Sequence, residues 1–399
     1  HDGATFDYGG RPEVMEAEVA RMSPADVAGY RRFMRSSEVL YRLGFERFGD
    51  VPFSSWTSMA RLAPDLMRLG GWRSVYSTVA RFVRDERLRV ALSFHPLLVG
   101  GNPFSTSAIY SLIPFLERRE GVHFVMGGTG RLVQALAGLI RKQGGTIRCG
   151  AEVAEIIVEA GTATGVRLVS SERIPADLIV SNADPAWTYR YLIAPQHRRR
   201  WTDRRIERAR HSMGLFVWYF GTKRRYPEVA HHTILLGPRY RELLADVFRR
   251  KVLAKDFSLY LHRPTATDSS LAPPGCDAFY VLSPVPHLGS GTDWATEAEP
   301  YRQAIAAELE RTILPGLGQN IASSRVMTPQ DFQNRLLSFR GAAFAMEPVL
   351  SQSAYFRPHN ASEDIRGLYL VGAGTHPGAG LPGVLCSAKV LDRLVPAYA

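Results

Sequence analysis

The stretch "LYLVGAGTHPGAGLPGV", residues 368–384, decides the fold of this chain. Gly378, Gly380 and Gly383 within it spell G-x-G-x-x-G, the signature of a dinucleotide-binding loop between a strand and a helix. The apolar run before the glycines predicts that strand, and a helix is predicted from about Pro382. A self-sufficient site also needs a second strand ending in an acidic residue about 20 positions on. The few residues that follow leave no room for it, so the stretch predicts only one part of a nucleotide site.

The glycines of this stretch let the backbone come very close to a flat ligand. They are Gly372, Gly374, Gly378, Gly380 and Gly383. Pro382 at the first helical position leaves free N–H groups and the positive end of the helix dipole facing the same space. Such an arrangement stabilises negative charge, which a reduced flavin carries at its N1–C2=O edge. The alternative is a glycine-rich turn that only permits tight packing.

The composition is that of a globular protein with a substantial core, since 45% of the 399 residues are hydrophobic and 22% are charged. This length corresponds to roughly two or three domains. Cys149, Cys276 and Cys386 lie far apart and form no C-x-x-C pair, so neither a disulfide framework nor a zinc site is predicted. A cytoplasmic location is favoured. No signal peptide is recognisable after His1, and we expect an upstream segment to be missing.

The chain is basic, with a net charge of +11 at pH 7 and a pI of about 9.7. No nucleic-acid-binding module is recognisable, which argues against nucleic acid as a partner. Residues 186–212 are predicted to be helical and carry the densest cationic run: Arg198, Arg199, Arg200, Arg204, Arg205, Arg208 and Arg210. This run is either a solvated helix face or a surface that contacts anionic lipid head groups.

Residues 90–116 contain no Lys, Arg, Asp or Glu. The stretch is long enough to span a bilayer, but Pro96, Gly100, Pro103 and Pro114 argue against one continuous helix. One expectation is two buried core helices joined by a turn. The other is an apolar wall of a lipid-sized pocket, or a segment lying in the membrane interface.

Hydrophobic periodicity predicts the remaining elements. A strand hairpin is predicted for residues 1–10, and helices follow to about residue 120, the first with Ser23 as N-cap. Thr129 is predicted to cap the next helix. The other predicted elements are strands within 146–184, strands at 213–221 and 277–286, and a helix at 299–313.

The sequence shows no hydrolytic or metal-binding motif, because it contains neither G-x-S-x-G nor H-E-x-x-H. His231 and His232 stand side by side without a partner motif, so a structural role and no metal site are predicted. His376 lies within the glycine stretch and is predicted to be near a cofactor. His95 lies in the uncharged stretch, either as a core histidine or as a pocket residue.

Several stretches resemble the bacterial-type phytoene desaturases, which are FAD-containing carotenoid dehydrogenases, and together they cover the chain from end to end. They are "SFHPLLVGGNPFSTSAIYSLI" (93–113), "FVMGGTGRLVQAL" (124–136), "HHTILLGPRYREL" (231–243), "DFSLYLHRPTATDSSLAPPGCDAFYVLSPVPHLG" (256–289) and the opening stretch (368–384). In that family an N-terminal βαβ unit holds the ADP part of FAD, and the glycine stretch covers the flavin. No such βαβ unit occurs in this sequence, so the flavin-binding domain is expected to be incomplete.

The resemblance implies an α/β plus α+β fold. A flavin-binding Rossmann-like domain of the glutathione-reductase or amine-oxidase type would be joined to a mixed-sheet substrate domain and a helical membrane-facing subdomain. The implied divisions are a strand hairpin of the substrate domain (1–10), the helical subdomain (11–120), a first flavin-binding part (121–185), the substrate-binding sheet (186–330) and a C-terminal flavin-binding part (331–399).

The resemblance also implies the site residues. Val153 matches the position whose backbone meets the adenine, and Gly127 and Gly128 match a turn near the flavin. Residues 90–116 and the strand at 213–221 would line a substrate tunnel. The residues that would approach the flavin and its pyrophosphate are Gly372, Gly374, Thr375, His376, Gly380, Pro382, Gly383 and Val384.

The implied activity is desaturation of phytoene to lycopene or neurosporene, in which an allylic carbon gives a hydride to flavin N5 and its neighbour loses a proton. No strong base is obvious. Asp26, Arg31 and His95 are weak candidates, and Asp26 and Arg31 fit a solvated helix face equally well.

Oxygen or a quinone would be the terminal electron acceptor. The basic surface would hold the enzyme on the inner face of the cell membrane, where the polyene dissolves. Two alternatives remain. One is a related carotenoid oxidoreductase, namely a diapophytoene or methoxyneurosporene desaturase, a ketolase or an isomerase. The other is a non-catalytic isoprenoid-binding protein.

Overall fold

A computed structural model of the chain describes residues 3–396. The α-helices are α1 (Pro12–Met22), α2 (Val27–Tyr41), α3 (Trp56–Arg68), α4 (Val75–Val79), α5 (Glu86–Ser93), α6 (Ile113–Glu120), α7 (Thr129–Lys142), α8 (Pro185–Trp187), α9 (Asp203–Arg208), α10 (Tyr240–Ala245), α11 (Trp294–Thr312), α12 (Leu317–Asn320), α13 (Pro329–Leu336) and α14 (Leu381–Asp392). The strands are β1 (Val153–Glu159), β2 (Thr162–Leu168), β3 (Arg173–Pro175), β4 (Ile179–Ser181), β5 (Gly214–Thr222), β6 (His232–Leu235), β7 (Leu259–His262), β8 (Asp277–Val285), β9 (Ile321–Met327) and β10 (Leu368–Leu370).

The largest sheet is antiparallel and has the strand order β6-β7-β8-β5-β9. Buried and half-buried positions alternate along β8, as expected for a strand with one face in the core. That face packs on α11, where Phe216 and Ile305 belong to one buried cluster. β5 is covered on both faces, because Val217 on its other side belongs to a cluster that Leu97 joins. The strands predicted at 213–221 and 277–286 and the helix at 299–313 are confirmed, although α11 begins earlier, where Asp293 caps it.

Two smaller sheets lie in the part of the chain predicted to bind flavin. β1, β2 and β3 form an antiparallel meander, whereas β4 and β10 form a parallel pair in which Leu370 is opposite Ser181. Ile156, Ile179 and Leu368 share one buried core beneath them. The strands predicted within 146–184 are therefore confirmed.

The helices of the N-terminal part pack around a third core, to which Val19, Phe33, Leu88 and Phe115 contribute. Residues 90–116 form the end of α5, two 3-10 helices (His95–Val99 and Ala108–Leu112) and the start of α6. The expected break in the helix occurs at Gly100, which is left-handed with φ +79°.

Among residues 3–396, no helix combines the length and the apolar character that crossing a bilayer requires.

Near the N-terminus one predicted detail is wrong and another holds in part. Residues 3–10 contain no strand, so the hairpin of the 1–10 division does not form there, and the ring of Tyr8 packs against His95 instead. The first two residues of that hairpin lie outside the described residues. Ser23 occupies the N-cap position with Pro24 in the first turn, as predicted, but of a short 3-10 helix, and its hydroxyl donates to Asp26 Oδ2 (3.0 Å) instead of accepting from the backbone.

Two further helix predictions are also corrected. Gly128, not Thr129, occupies the N-cap of α7, because the backbone there has φ +84°, which glycine adopts without strain. Residues 186–212 do not form one continuous helix. Pro195 starts a separate 3-10 turn after extended backbone, and α9 begins only at Asp203 behind the Thr202 cap.

Candidate active site

The glycine stretch follows the strand β10, which pairs in parallel with β4. Because the carboxyl ends of parallel strands lie at the same edge, the glycine loop (residues 371–380) meets the segment that follows Ser181. Val371 N donates to Ser181 O (3.0 Å), and a Cβ atom on Gly372 would overlap the side-chain Oδ1 of Asn182, so the two segments are in direct contact. Ligands bind at such edges of open α/β sheets.

The glycines of the loop serve two different purposes. Gly372, Gly378 and Gly380 have φ values of +95°, +132° and +93°, which other residues adopt only with strain. By contrast, Gly374 and Gly383 are needed for packing, since a Cβ on Gly374 would overlap Pro185 and one on Gly383 would lie 2.6 Å from Gly378 O. Tight packing, the alternative to ligand contact, therefore accounts for Gly374 and Gly383.

Arg357 holds this loop from within the protein. Its side chain is buried, and its guanidinium donates to Gly374 O (3.1 Å), Ala373 O (3.1 Å) and Met346 O (3.2 Å). Asn360 adds bonds from its Nδ2 to Leu370 O (3.2 Å) and His376 O (3.3 Å).

Sequence reasoning missed both residues. The stretch "SQSAYFRPHN" (351–360) contains Arg357 as its one charged residue and ends in Asn360, which is the sequence pattern that could have identified them. Only tertiary contacts show which carbonyl groups accept their hydrogen bonds.

Thr375 and His376 are oriented by the protein itself. Thr375 Oγ1 donates to Gly372 O (3.1 Å). The His376 ring lies against Phe53, with 4.6 Å between centroids, and its Nε2 contacts Phe48 O at 2.9 Å. Burial lowers the pKa of His376 to about 4, so the ring is neutral at pH 7 and Nε2 donates to the carbonyl. The Thr375 hydroxyl thus bonds within the loop, whereas His376 connects the loop to the helical part of the protein. The approach of both residues to a flavin stays a prediction.

Helix α14 begins at the end of the loop. Gly380 is its N-cap, Pro382 lies in its first turn, and none of the described side chains caps it. Val384 N donates back to Gly380 O (2.9 Å), which leaves the N–H groups of Leu381 and Gly383 without intrahelical partners. An uncapped helix start beside left-handed glycines suits a ligand that carries negative charge at an edge. The residues present thus fit the flavin edge.

Val153 opens strand β1, opposite Leu168 of β2, in the small meander. This places it in the same half of the protein as β4 and β10, and its contact with adenine stays a prediction. Gly127 and Gly128 precede α7, and their position near the flavin stays a prediction. Gly127 N donates to Asp268 Oδ2 (2.6 Å), and Asp268 lies in the segment that connects β7 to β8 of the largest sheet.

Asp26 and Arg31 have partners away from the glycine loop. The buried Asp26 carboxylate accepts Arg84 N and Asp85 N, both at 2.8 Å. Arg31 pairs with Glu16 at 2.6 Å on the surface. These contacts account for both residues structurally and give neither an open position toward a substrate.

His95 has different surroundings. Its ring is buried, and its Nε2 lies 3.1 Å from Tyr8 Oη and 3.3 Å from Glu117 Oε2. Its Nδ1 has no hydrogen-bond partner in the part of the chain that the structure describes. Burial alone would raise the pKa of the Glu117 carboxyl, but His95 and Tyr8 lower it overall, so Glu117 is ionised at pH 7.

The 3-10 helix His95–Val99 connects this cluster to the glycine loop. A 3-10 helix rises about 2 Å per residue, so the span is roughly 8 Å. At its far end, Val99 Cγ1 lies 3.5 Å from where a Cβ of Gly380 would be. This short helix therefore connects His95, one of the candidate bases, to the predicted flavin loop.

The chain belongs to the family of flavin containing amine oxidoreductases, whose model matches residues 2–389. Its relatives include the neurosporene-forming phytoene desaturase of Cereibacter sphaeroides, 50% identical over 99% of this chain and 77% of that protein. The lycopene-forming phytoene desaturase of Pseudescherichia vulneris is 48% identical over 98% of this chain and 80% of that protein. An oxidoreductase from Methanosarcina mazei has the same fold, with a TM-score of 0.57 at 19% identity, covering 85% of this chain and 73% of that one.

Proposed function

We propose that the chain is an FAD-dependent desaturase that converts phytoene to neurosporene or lycopene in carotenoid biosynthesis. The observation that carries this proposal is the left-handed glycine loop at the β4–β10 edge, closed by the uncapped start of α14. Relatives that are about half identical over almost the whole chain act as phytoene desaturases. The residues Gly372, Gly374, Thr375, His376, Gly380, Pro382, Gly383 and Val384 would hold the flavin end, and the Val153 backbone the adenine.

A bound flavin supplies the hydride acceptor for this chemistry. The protein must orient an apolar chain, exclude water and accept one proton from the carbon next to the one that loses hydride. Leu97, two residues after His95, packs in one apolar cluster with Leu215 of β5 and with Phe344, and an apolar surface of this kind suits a polyene.

We infer that His95 accepts the proton. With Nε2–H directed at the Glu117 carboxylate, Nδ1 carries the lone pair and has no partner among the described residues. Glu117 would fix that tautomer and stabilise the imidazolium that forms. Asp26, with its carboxylate engaged by two backbone N–H groups, is the weaker candidate.

Peripheral contact with a membrane is part of the proposal. Trp56, Met67 and Trp72 are exposed by 62%, 71% and 62%, although large apolar side chains are normally buried. Arg73 lies over the Trp72 ring at 4.6 Å, and tryptophan beside cations is typical of interfacial segments. A groove of about 570 Å³ is lined by Trp201 and three arginines of the basic run, namely Arg204, Arg205 and Arg208, and it suits anionic head groups.

The purified protein with its bound flavin tests the function. Incubation with phytoene in liposomes under oxygen, or with a quinone without oxygen, should produce coloured polyenes, and product analysis separates neurosporene from lycopene. A protein that holds FAD but leaves phytoene unchanged with both acceptors contradicts the proposal. Conversion of a shorter or already oxygenated carotenoid in its place supports a related carotenoid oxidoreductase.

A further inference from the structure

Three histidines meet at the edge of the larger sheet. His232 opens β6 and lies directly opposite His262, the last residue of β7. His231 precedes β6, and one ring nitrogen from each of the three lies within 4.8 Å of the others. The sequence pointed to no metal site because the partner of His231 comes from another strand, 31 residues further on.

The hydrogen bonds of this cluster match those of metal-ligating histidines. His231 Nδ1 contacts Thr267 Oγ1, and His232 Nδ1 lies 2.6 Å from Tyr260 Oη. A histidine that binds a metal through one nitrogen almost always bonds an oxygen through the other, which fixes the tautomer. In both residues the outer nitrogen is fixed in this way, and Nε2 is left to face the cluster.

The Nε2 atoms of His231 and His262 face each other inside the cluster. His231 Nε2 and His262 Nε2 lie 2.9 Å apart. His262 is 8% exposed, and its Nδ1 has no partner within residues 3–396. Without a metal the two nitrogens share one N–H···N hydrogen bond, and a cation bound by both lone pairs would take the place of that proton.

The rings have the protonation state that coordination needs, which is the neutral imidazole. Burial lowers the pKa of His262 to about 4, with smaller contributions from the other two histidines. Burial also lowers the pKa values of His231 and His232. The neighbouring Arg263 pairs with Asp277 at 3.3 Å, so its charge is compensated. The negative charge of Glu117 acts on His232 and would favour a bound cation.

We propose that His231, His232 and His262 bind one divalent transition-metal ion, Zn²⁺ or a similar ion, leaving its fourth position for water. Three imidazoles suit Zn²⁺, Co²⁺, Ni²⁺ and Cu²⁺, whereas Mg²⁺ and Ca²⁺ prefer oxygen ligands. The Phe124 ring packs on His231 (4.8 Å between centroids) and His262 (6.1 Å), and the Gly127 bond to Asp268 lies a few residues further on. The metal would therefore fasten the segment leading into α7 to the large sheet.

Metal binding is measured with the untagged holoprotein after treatment with a chelator. Co²⁺ titration should give visible d–d bands at about one ion per chain, and Zn²⁺ should displace it. Zn²⁺ should also raise the Tm. His232→Ala is the main variant because His232 is exposed, and His262→Ala is the second. Each should weaken Co²⁺ binding at least about 10-fold, because changing even an outer partner of a ligand costs that much.

His123→Ala is the matched control, because His123 is an exposed histidine outside the cluster whose ring bonds the Glu120 carbonyl. It should leave Co²⁺ affinity and the Zn²⁺ effect on Tm unchanged. Circular dichroism and the flavin spectrum identify variants that fail to fold. The proposal is overturned if the wild-type protein gives no d–d bands, or if His232→Ala binds Co²⁺ as tightly as the wild type does.

Discussion

The Arg357 guanidinium donates from its Nε to Gly374 O at 3.1 Å, wholly inside the protein. One cation thus fixes two carbonyl groups of the glycine loop, the segment that is predicted to approach the flavin. The half-buried Asp184, whose carboxylate accepts Ala186 N (2.8 Å) and Phe339 N (3.0 Å), adds a favourable negative charge to that of the nearer Tyr110 hydroxyl. The shape of the flavin loop therefore depends on two residues outside it.

Arg357→Lys should reduce flavin retention and lower the free energy of unfolding by about 1–3 kcal/mol. Lysine cannot reach several carbonyls in the planar geometry of a guanidinium, and the carbonyls left without a donor stay buried. FAD content after desalting and urea unfolding measure the two effects. Arg366→Lys is the control, since Arg366 also donates to a carbonyl, that of Ala160, but lies on the surface. Equal losses in the two variants would contradict this role of Arg357.

Gly374→Ala should destabilise the loop, because the added methyl group overlaps the Pro185 ring. Overpacking of this kind costs about 1–3 kcal/mol, and we expect a matching loss of bound FAD. Gly138→Ala, in α7 with no atom within 4 Å of the new Cβ, should stabilise the protein by about 0.5–1 kcal/mol. Thermal unfolding of both variants measures these changes in stability. An unchanged Tm for Gly374→Ala would contradict the predicted overlap with Pro185.

His95→Gln should lower kcat for desaturation roughly 100-fold or more with little change in KM, because it removes the proton acceptor. Glu117→Gln should lower kcat less and shift the pH profile, since Glu117 acts only through the imidazole. The flavin spectrum and circular dichroism show whether each variant is folded. A His95→Gln enzyme with wild-type kcat would exclude His95 as the base.

Acid should release the flavin through His376. Its pKa falls from the ordinary 6.5 to about 4 on burial, so the folded state holds fewer protons than the unfolded state between these values. Its contribution to stability is complete above pH 6.5 and is lost as the pH falls toward 4. His376→Gln keeps a donor for Phe48 O but removes the titration. The slope of the unfolding free energy should then fall by up to about 1.4 kcal/mol per pH unit in this window.

Urea unfolding and FAD release between pH 4 and 7 measure this slope. His123→Gln, in which an exposed ring is replaced, provides the comparison and should leave the slope as it is. If the two variants show the same pH dependence, burial of His376 does not control acid stability.

Trp72→Ser should weaken binding to anionic vesicles by about 5-fold, which corresponds to about 1 kcal/mol of apolar burial. Trp56→Ser should act similarly and independently. Tyr191→Ser is a matched control, because Tyr191 is an exposed aromatic residue (51%) outside that segment. Co-sedimentation with vesicles at two salt concentrations separates the two contributions to vesicle affinity, because salt screens the arginine charges and leaves the apolar contacts in place. Vesicle binding that neither tryptophan affects would remove residues 56–72 from the membrane contact.

The sequence alone determined the local order of strand, glycine loop and helix at residues 368–384, because glycine, proline and apolar periodicity act over neighbouring residues. It also identified the resemblance to the phytoene desaturases and the strands β5 and β8. It did not predict that β10 pairs with β4, that Arg357 donates a hydrogen bond to Gly374 O, or that the His262 ring contacts the His231 ring. These contacts join residues distant in the chain, and local propensity carries no information about which distant segments meet. Only the packed cores that bring the strands together decide them.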